Sequence, residues 1–378
     1  MTATYLDCNA TTPVDPRVVD EVTHYLCLEY GNAGSRTHGF GQAAKERVNK
    51  ARIQVSDLVS GKPDEVVFTS GATESNNLAI LGLAAHAHRT GRRHIISTQI
   101  EHKAVLEPLE RLQAQGFEVT ALAPTPGGWI DPDAVRRALR PDTVLVSVMA
   151  VNNETGVEQP LREIAVVLGD HPAYFHVDAA QAFGKVVAPL RDHRIDMLSI
   201  SGHKLFAPKG LGALVARRRG YDRVPLTPLM VGGGQERGLR PGTLPVHLIA
   251  GLGTAASIAA GEHQQWVAAN SSAKTALLED LSALDIVLNG DPERTVPWTL
   301  NFSVPGVDSE AALVALKDLV AVSNGSACTS ASYDPSHVLT AAGLPQDQVA
   351  GALRLSWSHL TPAIPGAEIA ARLASLRR

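Results

Sequence analysis

From residue 65 to residue 201 the chain alternates short apolar runs with segments of helical spacing. Strand-like runs fall at 65–69, 94–97, 118–122, 143–149, 173–177 and 196–200. Helical patterns lie between most of them, at 75–89, 104–115, 133–140 and 161–168. Such alternation predicts an α/β domain with a mostly parallel sheet and helices on both faces. Ahead of it, 5–12 reads as an extended arm that turns at Pro13 and Pro16. Helical patterns follow at 17–30 and 41–60, broken by Gly31-Asn32-Ala33-Gly34-Ser35. Past Pro245 the character changes. An alanine-rich stretch at 246–270 predicts one long helix. Strand patterns at 286–289, 299–303 and 352–356, with helices at 309–316 and 366–376, predict a smaller α+β unit. The expected division is a large domain over 16–259 and a small one made of 1–15 and 260–378.

Composition narrows the class. Hydrophobic residues make up 44% and charged residues 19% of the 378, as in a soluble globular enzyme. A net charge of −4 supplies no global attraction to nucleic acid or to an anionic membrane surface. Arg217-Arg218-Arg219 is expected to cap a helix or face solvent. Cys8, Cys27 and Cys328 are odd in number and widely spaced, which argues against a disulfide framework or a zinc site. The amino terminus lacks the basic and apolar regions of a secretion signal, and no apolar run reaches bilayer length, so a cytoplasmic chain is expected.

The candidate chemistry gathers where predicted strands end. Ser201-Gly202-His203-Lys204 closes the strand 196–200, and open α/β sheets bind ligands at that carboxyl edge. The alternative for Lys204 is an ordinary surface lysine. Upstream, Phe175-His176-Val177-Asp178 is an apolar run that ends on an acid. A lysine able to form a Schiff base and an acid able to hold a pyridinium nitrogen are what pyridoxal 5'-phosphate asks of its host. Thr69-Ser70-Gly71-Ala72-Thr73-Glu74 joins a strand to a helix and can cup a phosphate on backbone N–H groups and hydroxyls, or form a plain helix cap. His102 follows a strand, where its ring could stack on a cofactor and move protons; a structural histidine is the alternative. Asn152-Asn153 suits hydrogen bonds to a cofactor or a substrate carboxylate, or a turn. Gly232-Gly233-Gly234 and Arg240-Pro241-Gly242-Thr243 form a loop able to approach a ligand or another subunit closely. Gly251-Leu252-Gly253 begins a match to the dinucleotide fingerprint but lies inside a predicted helix, and is read as chance. Residues 323–332 surround Cys328 with small polar residues, which points to a thiol that is used; Cys8 and Cys27 are read as structural. Arg354 could clamp a carboxylate with two parallel hydrogen bonds.

Together these segments resemble the pyridoxal-phosphate cysteine desulfurases. The resemblance is carried by Ser70 through Asn77, Glu101-His102-Lys103, Val151-Asn152-Asn153-Glu154, His176 through Gln181, Ser201 through Lys204, and Ser326-Ala327-Cys328-Thr329-Ser330. It runs from Tyr5 to about Ser356, and the long cysteine segment is that of the family's first group. It implies an aspartate-aminotransferase-like fold with a mostly parallel seven-stranded sheet in the large domain, and a homodimer. It further implies that Lys204 carries pyridoxal 5'-phosphate, Asp178 pairs the ring nitrogen, Gln181 meets the ring hydroxyl and His102 stacks on the ring. Ala72, Thr73, Ser201 and His203 bind the phosphate, with Thr243 reaching it from the partner subunit. Asn153 and Arg354 orient L-cysteine by its carboxylate, and Cys328 accepts sulfur as a persulfide, with His102 handling the thiol proton. A sulfur-acceptor protein is then expected, in DNA phosphorothioation, iron–sulfur cluster assembly or tRNA thiolation, with a lean towards DNA modification. The short tail after the last strand lacks the length that iron–sulfur scaffolds dock against. Direct nucleic-acid binding and a metal are not expected. Alternatives are a selenocysteine lyase or class V aminotransferase on the same fold, and a catalytically silent assembly subunit.

Overall fold

The computed structural model describes residues 3–324 and 335–377. Its largest sheet has seven strands: β1 Val66–Thr69, β2 His94–Thr98, β3 Glu118–Leu122, β4 Thr143–Met149, β5 Tyr174–Asp178, β6 Met197–Ser201 and β7 Gly212–Ala216. Their order is β1-β7-β6-β5-β4-β2-β3. All neighbours are parallel except at β7, which runs antiparallel to both β1 and β6. The six strand patterns read from the sequence are six of these; β7, in Gly-Ala-Leu-Val-Ala, was not among them. Strands β4 and β6 are buried along their whole length, because helices cover both faces of a parallel sheet.

Other boundaries differ for local reasons. The pattern at 75–89 is two helices, Ala72–Leu81 and Ala84–Thr90. The chain bends at Gly82, whose carbonyl accepts both the N–H and the hydroxyl of Thr227. The long helix runs Val246–Leu281, past the expected end at 270. Its Gly251 and Gly253 explain the chance fingerprint. A Cβ on Gly253 would lie 2.8 Å from Ala51 Cα on the helix Gly39–Leu58, and one on Gly251 would lie 2.7 Å from Val22. Those glycines let helices touch. Arg217 is buried, and its guanidinium donates to the carbonyls of Leu190, Ile195, Asp192 and Val59. Val59 caps the helix Gly39–Leu58, so Arg217 caps a helix from the interior instead of facing solvent.

A second core of Leu277, Leu281, Leu300, Phe302, Leu353 and Leu355 lies under the antiparallel strands Thr299–Ser303 and Ala352–Ser356. The amino-terminal arm belongs to this side: Thr4–Tyr5 pairs in parallel with Val320–Ala321, and Leu6 is fully buried in the second core. The arm then continues to the carboxyl edge of the large sheet. Among the described residues no helix is long and apolar enough to cross a membrane.

His176, on β5, is fully buried between the hydroxyls of Ser147 on β4 and Ser199 on β6. Burial pushes its imidazole down to about 3. An unfolded chain takes up that proton near pH 6.5 while the folded one does not, so stability is lost as pH falls from about 6.5 towards 3. The expected loss from this residue is about 1.4 kcal/mol for each pH unit below 6.5. Urea denaturation midpoints measured from pH 7 to pH 5 check this, and His176→Asn should flatten the acid slope.

Candidate functional site

The carboxyl ends of β1, β2, β4, β5 and β6 open into one cavity of about 610 Å³. Ala72, Thr73, His102, Asn153, Asp178, Gln181, Ser201, His203 and Lys204 all line it, so nine of the residues singled out from the sequence converge. Thr243 does not: it is exposed and lines a separate cavity with Asn32, Lys45 and Arg52. Cys328 lies outside the described residues. Cys8 is buried, whereas Cys27 is exposed.

One end of the cavity is built for an anion. The helix Ala72–Leu81 starts there with no side chain capping its first N–H groups, so they remain for a ligand. Glu74 turns back to accept the Ser70 N–H at 2.7 Å. Strand β7 presses on this loop: a Cβ on Gly212 would lie 2.3 Å from Ile200 O and 2.6 Å from Gly71 Cα. Only glycine permits that approach. Ser201, His203 and Lys209 complete the end. Burial, then Lys204 and Lys209, push the His203 imidazole down to about 4. It is neutral at pH 7 and binds Thr11 Oγ1 through Nδ1 at 3.0 Å.

In the middle stands Asp178, the last residue of β5. Asn76 donates to its Oδ2 at 2.7 Å and the Ala180 N–H to its Oδ1 at 2.9 Å, which fixes the carboxylate plane. Lys204 follows β6 in a single helical turn, and its Nζ donates to the carbonyls of Asn9 and Ala10, the latter at 2.7 Å. Gln181 Nε2 donates to the same Asn9 carbonyl at 2.9 Å, while its buried Oε1 has no protein partner. His102 caps the helix Lys103–Gln113 by accepting the Ala104 N–H on Nδ1. Its neutral ring therefore carries the hydrogen on Nε2, and burial, assisted by Lys204, lowers its pKa. A ring held this way can donate at Nε2. Beside it, fully buried Glu101 accepts from Thr98 Oγ1 and Met149 N, and burial pushes it up to about 8, so it is protonated at pH 7.

At the far wall the two asparagines separate. Asn152 makes the turn, accepting the N–H groups of Glu154 and Thr155 on Oδ1 and donating to Ile100 O. Asn153 faces the cavity, and its carbonyl accepts from Asn9 Nδ2 at 3.1 Å and Arg354 Nη1 at 3.0 Å. Arg354 is fully buried and pairs with Asp7 at 2.7 Å, one residue layer behind the cavity wall. Sequence reasoning missed Asn9, Ala10 and the clamp role of Asn76. Asn76 sits in the quoted loop-to-helix segment, but nothing in the pattern of the arm announces that Asn9 reaches Lys204.

An uncapped helix start with hydroxyls, an oriented carboxylate, a lysine and an amide with a spare buried oxygen fit pyridoxal phosphate: anion, ring nitrogen, aldehyde carbon and ring oxygen each meet a suitable group. Fold and site thus define a pyridoxal-phosphate enzyme of the aspartate-aminotransferase architecture. The family model "Aminotransferase class-V" matches residues 4–362. Human cysteine desulfurase is 47% identical over 94% of this chain and 78% of its own. The IscS cysteine desulfurase of Methylococcus capsulatus is 48% identical over 95% and 88%. The crystal structure of DndA from Streptomyces lividans shares 56% identity over 94% of this chain and 99% of its own, with a TM-score of 0.83. The chain belongs to the class-V aminotransferase family and, within it, to the pyridoxal-phosphate-dependent cysteine desulfurases.

Asn9→Ala removes donors to Asn153 O and Thr299 Oγ1. Two lost neutral hydrogen bonds are worth about 1–3 kcal/mol of stability. The variant should unfold at correspondingly lower urea and should raise KM for substrate, because Asn153 loses its tether; steady-state kinetics and denaturation together check this.

Proposed function

We propose that this enzyme transfers the sulfur of L-cysteine to Cys328 and hands it on as a persulfide, releasing L-alanine. The observation that carries this reading is the convergence of Lys204, Asp178, His102 and the uncapped helix start in one cavity, in a chain whose sequence also sets Cys328 among small polar residues. Pyridoxal phosphate, when bound, supplies an electron sink for the substrate's α-carbon. Lys204 would carry it covalently, and the same lysine's amine would move the α-proton of the bound substrate. The carbonyls of Asn9 and Ala10 aim that nitrogen. Asp178 would keep the ring nitrogen protonated, and Gln181 would meet the ring hydroxyl. His102 would lie against the ring, with its Nε2 hydrogen available for proton transfer. Ala72, Thr73, Ser201 and His203 would hold the phosphate.

We assign the substrate carboxylate to Asn153 on the far wall and to Arg354 just behind it, whose guanidinium Asp7 holds. Cys328, as thiolate, attacks the substrate sulfur. The new S–S bond forms as the Cβ–S bond breaks, and the electron pair stays with carbon, which is later protonated to give L-alanine.

A homodimer is part of the proposal. Thr243 is outside its own chain's cofactor cavity, and Leu26, Leu28, Tyr30 and Phe40 are exposed apolar residues, Tyr30 and Phe40 stacking at 5.7 Å. A second copy is expected to cover them, and the family resemblance assigns its Thr243 to the phosphate. We place the large domain at 16–259 and the small one at 1–15 and 260–378, with a cytoplasmic location. The acceptor we favour is a DNA-phosphorothioation protein, because identity to DndA, at 56%, exceeds the 48% to the IscS relative.

Feeding the purified enzyme L-cysteine labelled with radioactive sulfur tests the reading. Label should appear on Cys328 and pass to a DNA-modification partner; label passing to an iron–sulfur scaffold would move the enzyme to cluster assembly, and absence of label on Cys328 would end the proposal. Cys328→Ser should keep the bound cofactor's visible absorbance and lose alanine production. Asp178→Asn should fold and lose about 10²-fold or more in kcat.

A further inference from the structure

The chain that carries Cys328 is rooted on each side against residues of the ligand wall. On the amino side, Ser323 meets Arg354 in an antiparallel bridge: the Arg354 N–H donates to Ser323 O at 2.7 Å and the Ser323 N–H to Arg354 O at 3.2 Å. Just upstream, Val320 is buried in the second core. On the carboxyl side the chain does not return to that core. Val338, in the short helix His337–Ala341, is buried in the same cluster as Val148 and Val177 of the large sheet. The two roots therefore stand on different hydrophobic cores.

Two side chains fix the second root. Ser336 Oγ donates to Glu154 Oε2 and accepts the Leu339 N–H at 3.1 Å, so the hydroxyl serves both as donor and as acceptor. His337 Nε2 donates to Glu101 O at 3.0 Å. Glu101 and Glu154 are the sequence neighbours of His102 and Asn153, which line the cofactor cavity.

Glu154 is 4% exposed, and burial raises its carboxyl pKa against the pull of Ser336, His337 and Arg354. Burying an acid is costly unless donors meet its oxygens. Here the donor is a hydroxyl 182 residues away. The local turn does not need it, because Asn152 Oδ1 already accepts the N–H groups of Glu154 and Thr155. What the buried acid holds is the root of the chain that follows Cys328.

We propose that Glu154, through Ser336, and His337, through the Glu101 carbonyl, are positioning residues for sulfur transfer: they fix the point at which the chain carrying Cys328 rejoins the large domain. The local concentration of a group carried between two anchors depends on the length of chain between them. With Ser336 released, the next buried hold is Val338, and the thiol loses proximity and direction towards the substrate sulfur. The proposal rests on the desulfurase reading of Cys328 and adds to it the residues that set the thiol's reach.

The test uses the intact enzyme loaded with cofactor. Glu154→Ala should bind cofactor and L-cysteine as the parent does, read from the cofactor's visible absorbance and its change with L-cysteine concentration. In the same samples, the single-turnover rate at which radioactive sulfur reaches Cys328 should fall about tenfold. Glu154→Gln keeps an acceptor for Ser336 and should label within about twofold of the parent rate. His337→Phe keeps a ring without the donor and should show the same split; it decides the matter if Glu154→Ala does not fold. Parental labelling rates in these two variants would overturn the proposal while leaving the desulfurase reading intact. A loss of the substrate-induced absorbance change in step with labelling would show a structural role alone and would overturn it as well. No label on Cys328 of the parent would end the desulfurase reading, and this proposal with it.

Discussion

The Lys204 ammonium, held by the carbonyls of Asn9 and Ala10, is the contact on which the arrangement of this enzyme turns. Lysine belongs to the large sheet, the carbonyls to an arm whose strand pairs with Val320–Ala321 and whose Leu6 fills the second core. One ion–dipole contact thus joins two hydrophobic cores at the place where chemistry is done. Asn9 adds to it through its side chain, which reaches Asn153 O and Thr299 Oγ1, and through its carbonyl, which also receives Gln181. A flexible lysine is thereby aimed before any substrate arrives, at the cost of binding the amino-terminal dozen residues tightly.

Around that contact the protein sorts charge by burial. Glu101 is kept protonated and His102, His203 and His176 are kept neutral, because the carboxyl edge of a covered parallel sheet is poorly solvated. Asp178 stays an acceptor because two donors fix it. The site therefore presents one oriented carboxylate and the two lysines Lys204 and Lys209 among neutral side chains, a distribution suited to a ring that is cationic at its nitrogen and anionic at its phosphate.

Local chemistry was legible along the chain. Six of the seven strands of the large sheet, the loop that opens the helix Ala72–Leu81, and the lysine and acid at strand ends all follow from apolar runs and the residues that stop them. The seventh strand, Gly212–Ala216, escaped because the four apolar residues after Gly212 carry no alternation. The break at Gly82 and the glycines of the long helix also escaped, since both answer to a neighbour that is remote in sequence, Thr227 in one case and Ala51 in the other.

The sequence by itself determined the class of the fold and set Lys204, Asp178, His102, Asn153 and the Ala72–Thr73 loop at strand ends, because these depend on residue type and on spacing within one strand–turn–helix unit, while the family resemblance added the roles of Gln181, Ser201 and His203. Only the tertiary structure decided that Asn9 and Ala10 aim Lys204, that Asn152 makes a turn while Asn153 faces the ligand, that Arg354 stands behind the wall on Asp7, and that Thr243 lies apart. Apart from the Asn152 turn, those facts are set by contacts between segments remote in sequence, and no periodicity in a chain records which distant carbonyl a side chain will find.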